Sequence, residues 1–271
     1  MPTLKTLRNC KRFIKSQIVL ANRKVLSFRY QYSKPKVTFD HQYEAHLLVV
    51  KKEVYVSIAK ICVESFLYYN PNSTVVIHVD SKTIAATHKA LKKMIVRSKV
   101  SIEQIKSDSA PWQDSKLNLI LSLDGSEKFF MDADLKWNGP MIQLSGTTLF
   151  VKEFIFNEND FYEPITKTQW FQEFSNSTMK NTSFFYWANY KPSTQDEKQI
   201  DELMERIIAT TYDQTNSETY NSSTKRISEQ IALSLFVEKL NSPIYFLKES
   251  DGFKDGSFVE SSYFGATGSS F

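Results

Sequence analysis

Between Lys128 and Asp134 an apolar run, Phe129, Phe130 and Met131, stops abruptly on two carboxylates one residue apart, Asp132 and Asp134. Apolar and aromatic residues without polar alternation suit a strand covered on both faces, and such strands belong mostly to parallel or mixed α/β sheets. The acids then stand at the carboxyl end of the strand, the edge of an open α/β sheet where loops converge on a ligand crevice. Carboxylates at i and i+2 are hard oxygen ligands, suited to Mg²⁺ or Mn²⁺ bridging to substrate phosphates rather than to a closed protein cage. An EF-hand is excluded, because its fifth and sixth loop positions fall on Lys136 and Trp137. The plainer alternative is that the two acids cap a turn ahead of Pro140.

The chain before this run alternates as such a sheet requires. Ala45 to Val50 reads as a first core strand, and Glu53 to Tyr69 as a helix carrying Val54, Ile58, Ile61, Cys62 and Phe66 at helical spacing. The turn Asn70-Pro71-Asn72-Ser73 leads to a second buried strand, Thr74 to Val79, closed by Asp80. Ile84, His88, Leu91 and Ile95 mark the next helix, and Val100 to Ile105 a more exposed strand. Pro111 opens a helix with Leu117, Ile120 and Leu121 that ends before Asp124-Gly125. Right-handed crossovers then bring the ends of the first, second and fourth strands to one crevice, with Asp80 and Asp134 as neighbours.

A length of 271 residues suits one large α/β domain. Glycine is scarce, seven residues, and neither G-x-G-x-x-G nor G-x-x-x-x-G-K occurs, which argues against a dinucleotide-binding dehydrogenase and a P-loop enzyme. Cys10 and Cys62 lack metal-ligand or disulfide spacing, so a reducing compartment is expected. Without a membrane-length apolar run or a signal-peptide core, the expected location is cytoplasmic. The formal charge of +4 is uneven, since ten Lys and Arg residues precede the first acid, Asp40. On a helix, Lys5, Arg8, Arg12 and Lys15 share one face, and Leu7, Cys10, Phe13, Ile14 and Ile18 the opposite one. Residues 1–40 therefore read as a basic helical extension on a domain of 41–271. That extension packs on the domain with a solvated basic face, lies peripherally on an anionic membrane, or binds a partner; no nucleic-acid partner is expected.

The order of strand, helix, N-P-N-S turn, Ile77-His78-Val79-Asp80, Lys116-bearing helix and Phe130-Met131-Asp132-Ala133-Asp134 resembles nucleotide-sugar glycosyltransferases of the GT-A fold over residues 44–154. Further on, Ser228-Glu229-Gln230-Ile231-Ala232-Leu233 is similar to the acid-Gln segment that opens a late helix near the acceptor in several such families. The resemblance implies a single α/β domain with a Rossmann-like, mainly parallel sheet flanked by helices. It implies a UDP- or GDP-linked sugar held by Mn²⁺ or Mg²⁺ on Asp132 and Asp134, with Asp80 near the nucleoside. Lys116 would assist the diphosphate if its helix faces the crevice, or else be a solvated lysine. Glu229 would serve the acceptor, a glycan or lipid-linked hydroxyl, as base or positioning group, unless it only caps its helix. Many retaining members complete the metal shell with a late His, but no His follows His88 here, and Tyr263-Phe264-Gly265 stands in its place. Asp251, Asp255 or water is then the third ligand.

In the second half, Thr147 to Phe156 reads as a strand, and Phe184-Phe185-Tyr186-Trp187 as another whose rings either fill the core or stack on sugars. Ser193-Thr194 before Asp196-Glu197 is a capping signal for a helix bearing Ile200, Leu203, Met204, Ile207 and Ile208, and Tyr212 to Ser223 reads as a loop. Two other classes stay open: a nucleotidyltransferase, for which Lys51-Lys52 is a poor phosphate loop, and a glycan-binding or scaffold protein that keeps the fold without turnover.

Overall fold

The computed structural model of the protein describes residues 24–30, 33, 35, 41–105, 112–123, 127–141, 148–154, 172, 179–187, 190–213, 228–239, 244–246 and 259–260. Among them run β1 (Glu44–Val49), α1 (Val54–Tyr69), β2 (Thr74–Val79), α2 (Ile84–Val96), β3 (Val100–Gln104), α3 (Trp112–Ser122) and β4 (Lys128–Met131). There follow β5 (Lys136–Trp137), β6 (Thr148–Phe154), β7 (Met179–Tyr186), α4 (Thr194–Asp213), α5 (Ser228–Lys239), β8 (Ile244–Phe246) and β9 (Val259–Glu260). The basic face between Lys5 and Lys15, the tail residues Asp251, Asp255 and Tyr263-Phe264-Gly265, and 214–223 of the expected loop lie outside the described residues. Tyr212 and Asp213 belong to the last turn of α4, not to a loop.

Seven strands form one sheet in the order β3-β2-β1-β4-β7-β6-β8. β1 is parallel to both β2 and β4, β2 to β3, and β6 to β8; only β4–β7 and β6–β7 are antiparallel. This is the mainly parallel α/β sheet expected. Strand side chains alternate between faces, so one sheet makes two cores. Ala45, Leu47, Val49, Val75, Ile77, Val79, Phe129 and Met131 pack on Val56, Ala59, Cys62, Val63 and Phe66 of α1 and Leu91 of α2. Phe130 and Phe185 point the other way, into Leu117 and Ile120 of α3, Ile200, Met204 and Ile207 of α4, and Ile231 and Phe236 of α5.

The aromatic cluster of β7 is core. Phe184 stacks on Phe129 at 4.7 Å between centroids, and Trp187 donates from Nε1 to the carbonyl of Ile120 at 2.6 Å. Phe184, Phe185 and Trp187 are fully buried, so none of these three rings is presented to a sugar. Local chemistry sets the element ends. Asn70 closes α1 by donating from both its backbone N and its Nδ2 to Phe66 O, each at 2.9 Å. Asp196 accepts from the backbone N and Oγ of Ser193 at 2.8 and 2.7 Å, a reciprocal cap at the start of α4. Among the described residues, no helix is long and apolar enough to cross a membrane.

Candidate active site

β4 ends at Met131 because the backbone leaves the parallel ladder there. Asp132 N donates to Ser183 O on β7 at 2.7 Å, and Leu135 N returns to Asp132 O at 3.3 Å, closing a turn over Ala133 and Asp134. Leu135 and Trp137, both fully buried, pin the far side of that turn. From below, the Cys62 thiol reaches the Asp132 carbonyl at 3.6 Å. The carboxylates of Asp132 and Asp134 thus stand at the carboxyl edge of the sheet on an anchored turn.

Lys116 and Glu229 join them. Lys116, on α3, is only 3% exposed. Its Nζ lies 2.9 Å from Asp132 Oδ1, 3.7 Å from Glu229 Oε1, and 5.1 Å from the centroid of Phe130. A solvated lysine is therefore ruled out. Glu229 sits in the first turn of α5, is wholly buried, and neither carboxylate oxygen has a hydrogen-bond partner.

The electrostatics are unbalanced. Burial opposes the Lys116 ammonium, but Asp132 and then Glu229 outweigh it and raise its pKa. Burial pushes Glu229 up to about 7, against the pull of Lys116. Asp134 is pushed up to about 6, by burial first and by Asp132 second. At the end of β4 three carboxyl groups surround one buried ammonium, a local excess of acid that a cation would offset. Among the described residues there is no group of three or more His, Cys, Asp or Glu able to hold a metal alone. Two aspartates suit an ion that takes its other ligands from water and phosphate.

These groups line a cavity of about 480 Å³, together with Lys51 and Lys52 on the rim. Hollows of about 650 and 510 Å³ lie elsewhere; the buried Lys116 and Glu229, not size, mark this one. Lys51-Lys52, a poor phosphate loop by sequence, stands on the rim at the end of β1.

Asp80 supports this rim instead of lining it. Its Oδ2 accepts from Lys51 N at 2.6 Å, and its Oδ1 from Thr83 N and Oγ1 at 3.0 and 2.9 Å. Burial raises its pKa, but the hydrogen bonds from Lys51 and Thr83 outweigh that and leave it lowered. Nor is it a neighbour of Asp134: β1 lies between β2 and β4, which separates their ends by about 10 Å at ~4.8 Å per strand. Asp80 holds Lys51 at φ 74°, a left-handed conformation in a non-glycine residue. A β-branched side chain tolerates that conformation worst. Lys51→Val is expected to lose about 1–2 kcal/mol in urea unfolding while Lys51→Gly loses none; equal losses would show that strain at this residue is not what the two variants report.

No family model matches this sequence, and no curated protein does. Solved structures do. A PaToxG glycosyltransferase aligns with TM-score 0.40 at 14% identity, over 86% of this chain and 80% of its own. The galactosyltransferase LgtC, in complex with donor and acceptor sugar analogs, aligns with TM-score 0.45 at 8% identity, over 75% and 72%. Mouse xyloside xylosyltransferase 1, in its apo form, aligns with TM-score 0.43 at 10% identity, over 80% and 92%. All three of these structures are glycosyltransferases. With scores below 0.5 the likeness carries no argument about chemistry, which rests on the side chains described above.

Proposed function

We propose that the protein is a metal-dependent glycosyltransferase that moves a sugar from a nucleoside-diphosphate donor to a hydroxyl acceptor, with residues 41–271 as the catalytic domain and 1–40 as an extension. The observation that carries this reading is the surplus of carboxylate over ammonium at the carboxyl end of β4. Asp132 and Asp134 would hold Mn²⁺ or Mg²⁺, which when bound supplies Lewis-acid compensation for charge on the leaving diphosphate. Lys116 adds a fixed positive charge beneath the same group, at no reorganisation cost because Asp132 already orients it. Lys51 and Lys52, on the rim, meet the outer phosphate oxygens. The bond from the anomeric carbon to the diphosphate oxygen breaks, and a bond from the acceptor oxygen to that carbon forms. The acceptor proton passes to Glu229, whose pKa of about 7 poises it to take one at neutral pH.

A thermal-shift screen of nucleoside diphosphates and triphosphates, with and without Mn²⁺, tests the donor side. Stabilisation by one diphosphate that requires the metal supports the proposal. Preference for a triphosphate favours a nucleotidyltransferase, and silence throughout favours a protein without turnover. For the acceptor side, Glu229→Gln is expected to lower kcat for sugar transfer about a hundredfold, with donor affinity nearly unchanged because the amide keeps the shape. If donor binding falls in parallel, Glu229 belongs to the donor pocket and not to the acceptor.

A further inference from the structure

The largest of the three hollows lies away from the candidate active site, between α1 and α2, with a volume of about 650 Å³. Lys60 of α1, Lys89, Lys92 and Lys93 of α2, and Arg97 and Lys99 just beyond it line this groove, with Glu64 as its one carboxylate. Glu64 lies 3.7 Å from Lys60. Among the described residues no carboxylate is within ion-pair distance of Lys89, Lys92, Lys93, Arg97 or Lys99. Six cations against one acid give a surplus of five charges, more than the +4 of the whole chain. Among the described residues, the groove is thus a strongly basic patch.

The elements that border the groove also expose apolar side chains. Val96, next to Arg97, is 76% exposed, and Val25 and Phe28 are 68% and 65% exposed. Residues 24–30 form a helical stretch that packs Leu26 and Tyr30 against Ile58 and Ile61 of α1. Tyr30 lines the groove with Tyr68, their ring centroids 5.3 Å apart. A solvated basic helix face has no need of exposed Phe and Val beside it, and a free phosphate would use the lysines alone. Cations flanked by exposed apolar groups and amphipathic tyrosines match a surface that offers both anionic headgroups and acyl chains.

We propose that the α1–α2 groove and the neighbouring 24–30 helix dock on an anionic membrane, with phospholipid headgroups in the groove and Val25, Phe28 and Val96 dipping into the bilayer interface. Pro71, which precedes β2, and Lys99, which precedes β3, put the groove toward the amino ends of the strands. Asp132 and Asp134 stand at the opposite edge.

Co-sedimentation of the full chain with vesicles tests this, using phosphatidylcholine alone and phosphatidylcholine with about a third phosphatidylserine. The wild type is expected to pellet only with the anionic vesicles, and progressively less as added salt shortens the Debye length from about 10 Å toward about 3 Å. A variant carrying Lys89→Gln, Lys92→Gln, Lys93→Gln and Arg97→Gln is expected to bind at least about a hundredfold more weakly, at several-fold per lost charge, with its unfolding midpoint unchanged. Val25→Ser with Phe28→Ser is expected to weaken binding about tenfold at constant charge, as loss of apolar burial requires. Wild-type protein that ignores anionic vesicles overturns the proposal. So does an unaltered quadruple variant, which would move the contact to residues 1–23. Full competition by millimolar inorganic phosphate, with the apolar variant binding normally, would make the groove a site for free anions.

Discussion

Lys116→Met is expected to destabilise the free protein by about 3–5 kcal/mol, the range for breaking a buried charge pair from one side. The ammonium is buried, 2.9 Å from Asp132 and 3.7 Å from Glu229, and methionine matches its length without its charge. What remains is a wholly buried glutamate with no hydrogen-bond partner and an aspartate without its counter-ion. Adding Glu229→Gln should return part of the loss, because the amide removes one stranded charge; the double-mutant cycle measures how much of the lysine's role runs through Glu229. Urea unfolding at pH 7 reads both quantities. A loss below about 1 kcal/mol would match an exposed pair and remove the basis for a preorganised cation beneath the diphosphate.

Asp134→Asn is expected to act in the opposite direction on the free protein. Its carboxyl has a pKa of about 6 in the fold, above its ordinary 3.8, so the folded state holds the proton more tightly than the unfolded one. Stability is then highest below about pH 4, falls as pH rises through about 6, and carries the full penalty at pH 7. Asparagine removes that penalty, about 1–3 kcal/mol for a carboxyl raised this far, and flattens the slope between those pH values. The same change should abolish Mn²⁺-dependent stabilisation by a nucleoside diphosphate, a loss beyond the roughly 10–100-fold seen when a residue that only supports a metal ligand is changed. A variant that melts lower than wild type, or still responds to the metal, would make Asp134 part of the scaffold. Gain of apo stability with loss of ligand response is the mark of a functional carboxylate.

The parallel half of the sheet was legible because its signals are local. Thr74–Val79 is a short buried run closed by an acid, and α1 and α2 carry apolar residues at helical spacing on either side of it. The acids at the end of β4 were legible for the same reason: an apolar run that stops on charge has few other readings. Lys116 was not settled, since nothing in an isolated helix says which of its lysines is buried; Asp132 and Glu229 decide that from distant parts of the chain. The expected proximity of Asp80 and Asp134 failed on strand order, which periodicity does not encode, because β1 separates them. Its three hydrogen bonds to Lys51 and Thr83 turn Asp80 into a loop clamp. For the rings of β7, composition allowed core or surface, and only packing against Phe129 and Ile120 decided.

Cys62 lies beneath the carbonyl of Asp132, fully buried, with its thiol pKa raised by burial first and by Asp134 and Asp132 after it. A thiol so enclosed cannot be alkylated until α1 lifts from the end of β4. In a Cys10→Ser background, the labelling rate of native protein becomes a gauge of how often the floor of the cavity opens, read without an acceptor, a product or a known sugar. Any ligand that grips Asp132 and Asp134 must slow that opening by the same factor by which it favours the closed form. The molecule thus contains its own binding sensor, placed one carbonyl away from the groups whose chemistry is in question.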